Sequence, residues 1–243
     1  MLRRSSLLVC VCALAAGLLG AQGWGRRVEL EPNVAYDGRF TFARIRYTVH
    51  GRSGWEFDYP AMERNLMTLI REITTIDAHA EGSNVHTLDD PALLAYPVAY
   101  VSEPGYWIPS DAEVEGLRTY LAKGGFVIFD DFMRREWWNF EEQMRRVLPN
   151  ARIERLDASH PVFDSFFHIA SLDMTYPHDP SLRAEFFGIH EDNDPSKRLI
   201  AVINYNNDIG DYMEWSATGW LPMNLTNDAY KLAVNYIVYG MTR

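Results

Sequence analysis

Apolar and polar positions along this chain fall into short periodic blocks separated by turn residues. Phe40-Thr41-Phe42-Ala43-Arg44-Ile45-Arg46-Tyr47 alternates, which predicts a first strand with Arg44 and Arg46 on one face. Met62, Leu66, Leu69, Ile70 and Ile73 recur at helical spacing and predict a helix over 60–73, with Pro60 tolerated in its first turn. Short apolar runs at 85–88 and 97–102 predict strands, the second followed by a loop over 103–109. Ser110-Asp111-Ala112-Glu113 is a capping box. It opens a helix whose inner stripe is Val114, Leu117 and Leu121, and Gly124 supplies the left-handed C-terminal cap. The wholly apolar run 126–129 follows at once, as in strands buried on both faces.

Asn139, with Glu142 three residues later, predicts a helix over 139–148 that faces inward through Phe140, Met144 and Val147. Strands are predicted at 152–156, 184–190 and 199–205, the last two separated by a turn-rich segment over 191–196. A closing helix begins near Asn227, with Tyr230, Ala233, Val234, Ile237 and Val238 inward. Strands alternating with helices predict an α/β fold with a mostly parallel sheet covered on both faces; the late strand pair predicts a hairpin or sheet extension. No repeat or composition break divides the chain, so a single domain is expected over 39–243, after a linker over 24–38.

Composition sharpens this. A chain of 243 residues with 47% hydrophobic content can bury a sizeable core. A formal charge of −10 disfavours nucleic acid, which needs a surplus of Lys and Arg. Residues 1–23 read as a secretory signal: Arg3 and Arg4 precede an apolar run over 7–19, and small residues follow at 20–23. The run is shorter than the ~20 residues that span a bilayer. Cleavage would remove both cysteines, Cys10 and Cys12, and shift the formal charge to −12. The expected mature chain is periplasmic or extracellular, with no thiol, no disulfide and no transmembrane segment.

Candidate chemistry gathers where parallel strands end, because ligands bind beyond their carboxyl ends. Asp130 and Asp131 follow the apolar strand directly, and adjacent carboxylates there can hold a hard cation or act as acid and base; alternatively one caps a turn and the other faces water. Glu103 ends the preceding strand. His160, fixed before Pro161, is a candidate base or metal ligand, or else a turn-holding histidine. The segment 204–211 is rich in oxygen ligands and could hold Ca²⁺, but it lacks EF-hand spacing, and an exposed loop is the expected reading. Trp55 and Trp107 suit stacking on a saccharide or peptide, or cover the core, as Trp137 and Trp138 are expected to do. Arg44 and Arg46 could pair with Asp130 or Asp131, or form an anion site with them. Phosphate loops, zinc-protease motifs and serine elbows are absent from the sequence.

Several of these residues carry a resemblance. Phe40-x-Phe42-x-Arg44-Ile45-x-Tyr47, Trp55, Asp58-Tyr59-Pro60 and Asn65-Leu66 resemble the opening of a bacterial family named domain of unknown function 4159. Leu117-Arg118-x-Tyr120-Leu121-x-x-Gly124-Gly125-Phe126 with Asp130-Asp131, then His160-Pro161-Val162-Phe163 and Asn235-Tyr236-Ile237-Val238-Tyr239, resemble its later signatures. The resemblance spans roughly 38–243. It implies a flavodoxin-like three-layer sandwich similar to the class I glutamine amidotransferases, a broad group that includes trehalose-utilisation-like proteins. Those enzymes place a Cys where this chain has Asp130 and Asp131, so glutaminase chemistry is excluded by residue type. The expectation is a non-catalytic, exported domain that binds a small molecule, a saccharide or an envelope protein, with Asp58 among the ligand-binding candidates. The alternatives are a hydrolase acting on saccharides through Asp130, Asp131, Glu103 and His160, and a scaffold subunit of an envelope complex. The sequence leaves any cofactor open.

Overall fold

Runs of branched and aromatic residues become strands because helices cover both of their faces. In the computed structural model, which describes residues 29–48 and 54–243, the strands are β1 (Phe40–Ile45), β2 (Ala78–His86), β3 (Val98–Ser102), β4 (Phe126–Phe132), β5 (Glu154–Arg155), β6 (Thr175–Tyr176), β7 (Asp179–Arg183), β8 (Glu185–His190) and β9 (Leu199–Tyr205). The helices are α1 (Ala61–Ile73), α2 (Asp111–Ala122), α3 (Glu136–Val147), α4 (Ile209–Glu214) and α5 (Met223–Thr242). Residues 31–243 form one compact unit. The proposed signal segment and residues 24–28 lie outside the described residues.

Seven strands make one sheet in the order β2-β1-β3-β4-β9-β8-β5, and β6 and β7 form a separate hairpin. The five strands from β2 to β9 run parallel, whereas β8 is antiparallel to β9 and to β5. The expected mostly parallel α/β sheet is therefore present, and β8–β9 is the expected hairpin extension. Side chains alternate across it. Val98, Tyr100, Phe126 and Ile128 pack toward α1, α4 and α5, while Ala99, Val101, Val127 and Phe129 pack toward α2 and α3. Among the described residues, no helix is long and apolar enough to cross a membrane.

The chain runs from β1 out to β2 and then back past β1 to β3, so strand order reverses between β1 and β3. A crevice opens at the carboxyl ends of such a pair. One irregularity shapes that end. Between Phe129 and Phe132, β4 carries two residues opposite the single Asn204 of β9. The extra residue in this bulge is Asp131, at a left-handed φ of 59°. Two successive carboxylates thereby serve the same end of the sheet.

Local departures from expectation have physical reasons. All six β1 residues are buried, Arg44 included, whereas Arg46 lies beyond the strand end and is exposed, so the two arginines do not share an environment. Strand β2 runs nine residues; its polar composition (AHAEGSNVH) suits a sheet edge and hides it from an apolar search. Helix α3 starts at Glu136 rather than at Asn139, whose side chain donates instead to the Trp107 carbonyl at 2.8 Å. Helix α4 and the β6–β7 hairpin occupy segments in which no element was expected.

Candidate functional site

The carboxyl ends of β1, β3, β4 and β9 carry a concentration of buried acids. Asp130 is the innermost. Its Oδ2 accepts from the Tyr100 hydroxyl at 2.7 Å and from the Ile209 and Gly210 amides at 3.0 and 3.2 Å; its Oδ1 accepts from Asn204 Nδ2 at 2.9 Å. Tyr236 of α5 in turn donates to Asn204 Oδ1 at 2.9 Å. These contacts tie β3, β4, β9, α4 and α5 together. Burial pushes Asp130 up to about 6 against the pull of its four donors. With its oxygens so engaged, Asp130 holds the start of α4, and the ligand-facing role falls to its neighbours.

Asp131 accepts from the Tyr176 hydroxyl at 2.9 Å. Burial, then the charge of Asp130, pushes it up to about 7. Asp208 caps α4, accepting from the Asp211 amide at 2.8 Å. Asp58, in the loop after β1 at φ 65°, completes the group. One carboxylate oxygen from each of Asp58, Asp131 and Asp208 lies within 4.8 Å of the others. A second set, Asp58, Asp211 and Glu214, meets the same limit. Asp58 and Asp208 are both held well above the ordinary carboxylate range, by burial first and then by the charge of Asp131; Asp211 adds to both and Asp58 to Asp208, while Arg44 pulls Asp58 the other way. His178, in the β6–β7 turn, pairs with Asp211 Oδ2.

Asp58 stands apart. Among the described residues its carboxylate accepts no hydrogen bond, although the residue is only 8% exposed and its Oδ2 is fully covered. Leaving a buried carboxylate without donors is costly unless a proton or a cation compensates it. The oxygen faces the 208–211 turn at Gly210, where a Cβ would lie 2.4 Å from Asp58 Oδ2 and 2.9 Å from the Tyr100 hydroxyl. Only glycine leaves room for the carboxylate there.

The remaining candidates divide. Glu103, at φ 48°, ends β3; its carbonyl, with that of Ser102, accepts from the Tyr47 hydroxyl, each at 2.8 Å. Burial, then the carboxylates of Glu103, Asp131 and Glu56, push that hydroxyl far above its ordinary value, which places Glu103 beside the cluster. Arg44 does not pair with Asp130 or Asp131. It is fully buried against Glu63 of α1, donates to the Trp55 and Phe57 carbonyls at 2.7 and 2.9 Å, and lies 5.0 Å from the centre of the Tyr100 ring. Trp55 packs on Tyr59 with ring centres 6.3 Å apart. Trp107 is fully buried beside Phe129, so it covers the core and presents no stacking face. Trp137 stacks on Phe132, while Trp138 is 69% exposed rather than covering the core.

His160 lies elsewhere. It pairs with His190, beside the start of β9, at an Nε2–Nε2 distance of 3.2 Å. The cluster lies past the far end of that seven-residue strand, about 20 Å away by strand geometry. The Val162 amide donates to His160 Nδ1 at 3.2 Å, so the proton of the neutral ring sits on Nε2 and points at His190, whose Nδ1 faces Glu154 at 3.6 Å. This chain of contacts holds the turn, and His160 shares no reacting centre with Asp131.

A family model for a domain of unknown function, DUF4159, matches residues 41–241. The chain belongs to the DUF4159 family. This is the family that the motifs from Phe40 to Tyr239 resemble, and the match takes in every carboxylate of the cluster. Comparison with curated proteins finds no match. Within this DUF4159 domain, sequence reasoning missed Glu214, Tyr176 and His178, and it placed Asp208 and Asp211 only in an oxygen-rich segment expected to be an exposed loop. A signal existed: Asp208, Asp211 and Glu214 recur every three residues, which is a cap followed by one helix face. Gly210 and the Asn-rich start made the segment read as an exposed loop, whereas Asn204, Asn207, Asp208 and Asp211 are all buried.

Proposed function

We propose that this protein is an exported binding domain whose working site is a divalent-cation centre formed by Asp58, Asp131 and Asp208. The observation that carries the reading is the buried Asp58 carboxylate, which accepts no hydrogen bond from the described residues and lies within 4.8 Å of two other buried carboxylates. Oxygens on opposite sides of one cation with bonds of 2.3–2.6 Å lie roughly 4.6–5.2 Å apart, so the three can reach a single ion. An all-oxygen set suits Ca²⁺, Mg²⁺ or Mn²⁺. Arg44 pulls the Asp58 carboxyl down, but burial and the Asp131 and Asp211 charges outweigh it, and its ion pair goes to Glu63. Export rests on the basic and apolar patterning of residues 1–23. The strand order 2-1-3-4 with β9 fifth is the flavodoxin-like order, which supports the amidotransferase-like scaffold.

Thermal unfolding of the purified chain tests the cation reading. Millimolar Ca²⁺, Mg²⁺ or Mn²⁺ should raise the midpoint, since a ligand at 100 times its Kd stabilises by about 2.7 kcal/mol. Asp131→Asn should abolish that rise. A wild-type midpoint indifferent to all three ions overturns the reading.

A second reading is an exported hydrolase. Its support is the position of Asp131 near 7, where a carboxyl can give or take a proton at neutral pH. It runs on the carboxylates, without His160. Turnover of saccharide substrates by the wild type and not by Asp131→Asn would favour it over binding alone.

A further inference from the structure

Asp58 belongs to both sets of converging oxygens at once. Asp131 and Asp208 reach it from β4 and the cap of α4, and Asp211 and Glu214 reach it from successive turns along α4. The two sets have no other residue in common. We propose that Asp58 bridges two divalent cations, one held with Asp131 and Asp208 and the other with Asp211 and Glu214. The proposal rests on the cation reading above and extends it from one ion to two.

Three features beyond the crowding of acids support it. A bridging carboxylate must offer both oxygens to metal, and Asp58 is the buried acid of the cluster whose carboxylate accepts no donor from the described residues. Asp130, by comparison, accepts four donors, and Asp131 and Asp208 accept one each. The glycine at 210 is the second feature, since any side chain there would occupy the space of Asp58 Oδ2. The third is outer support. Tyr176 holds Asp131, the Asp211 amide holds Asp208, and His178 holds Asp211, so three of the four partners of Asp58 are oriented by hydrogen bonds while the Asp58 carboxylate accepts none from the described residues. One bridging carboxylate between two oxygen-rich pockets sets ions about 3.5–4 Å apart. Such a pair takes an oxyanion or a hydroxyl-bearing ligand across both ions. The Asp211–Glu214 side is the open one: Glu214 is partly exposed, and His178 leads to Trp220, 63% exposed, with ring centres 6.1 Å apart.

Titration of the purified chain with Mn²⁺, followed by calorimetry and by electron paramagnetic resonance, tests the bridge. The expected stoichiometry is two, with a spin-coupled Mn²⁺ signal. Glu214→Gln should bind one ion and give an uncoupled signal, and Asp58→Asn should weaken both ions by ~10-fold or more. A wild-type stoichiometry of one overturns the bridge and leaves the single-ion reading standing. Zero overturns both. Two ions without spin coupling, or an Asp58→Asn variant that still binds two tightly, also overturns the bridge. Far-ultraviolet circular dichroism of each variant shows that it has folded.

Discussion

At the scale of single residues, the site depends on one missing methyl group. Gly210 sits in α4, where alanine would ordinarily be favoured by about 0.5–1 kcal/mol. Here the new Cβ would meet Asp58 Oδ2 and the Tyr100 hydroxyl, both buried, and overpacking of this kind costs about 1–3 kcal/mol. The steric term wins. Gly210→Ala should lower stability by ~1–2 kcal/mol in urea unfolding and displace Asp58, so that Mn²⁺ affinity falls with it. A more stable variant with unchanged affinity would contradict this account. Individual residues were only half legible in the sequence. Asp131 and Asp58 could be named because they follow a strand and a family motif. The role of Asp130 could not, because its four donors come from three separate elements that meet only in the fold.

At the scale of elements, strand β1 is joined to helix α1 by a buried ion pair. Arg44 and Glu63 are fully buried. Burial alone would push Glu63 far up and Arg44 down, and each offsets this for the other. Removing one partner of such a pair costs about 3–5 kcal/mol, whereas replacing both by apolar residues of similar size is often neutral. Arg44→Ala should therefore unfold at much lower urea than wild type, and Arg44→Met with Glu63→Leu should recover most of the loss. A double variant as weak as the single one would show that the guanidinium bonds to Trp55 and Phe57 dominate instead. Elements were legible wherever periodicity or capping chemistry was local. The Ser110 box and the run 199–205 both appear as read. Polar β2, six-residue α4 and the β6–β7 hairpin lack an apolar rhythm of their own and form by lodging against neighbours, so the pattern was silent there.

At the scale of the whole molecule, the two ends of the sheet respond oppositely to acid. The end with Asp130 and Asp131 holds carboxyls raised by burial, and these groups favour the folded state as pH falls. The other end holds His160, lowered from 6.5 to about 4 by burial and then by His190, with Asp157 pulling the other way. The unfolded chain takes up this proton first. His160 therefore contributes stability above about 6.5 that is lost as pH falls toward 4. His190 and Asp157 act on it directly, Tyr239 lies 6.4 Å away between ring centres, Lys197, Arg198 and Arg243 line the same pocket, and Glu154 reaches it only through His190. Comparing His160→Gln with wild type cancels the carboxylates: the variant's melting temperature relative to wild type should climb steadily between pH 6.5 and 4. A constant difference would mean that His160 takes its proton equally in both states. Fold class was legible from strand–helix alternation, but the distance between His160 and the acids was not, because sequence order says nothing about which end of a sheet a turn occupies.

The sheet also partitions the molecule. Asp58 leads into α1, and Asp208, Asp211 and Glu214 belong to α4 and its cap, on the side shared with α5. The side built by α2 and α3 packs its own separate cluster and contributes none of these carboxylates. That makes α2 a handle. In a chain trimmed of residues 1–23 there is no native thiol, so a single cysteine in place of exposed Lys123, at the end of α2, would be a unique point for a tether or fluorophore. A molecule immobilised there rests on one side of its sheet and presents the other, with its carboxylates, to whatever flows past.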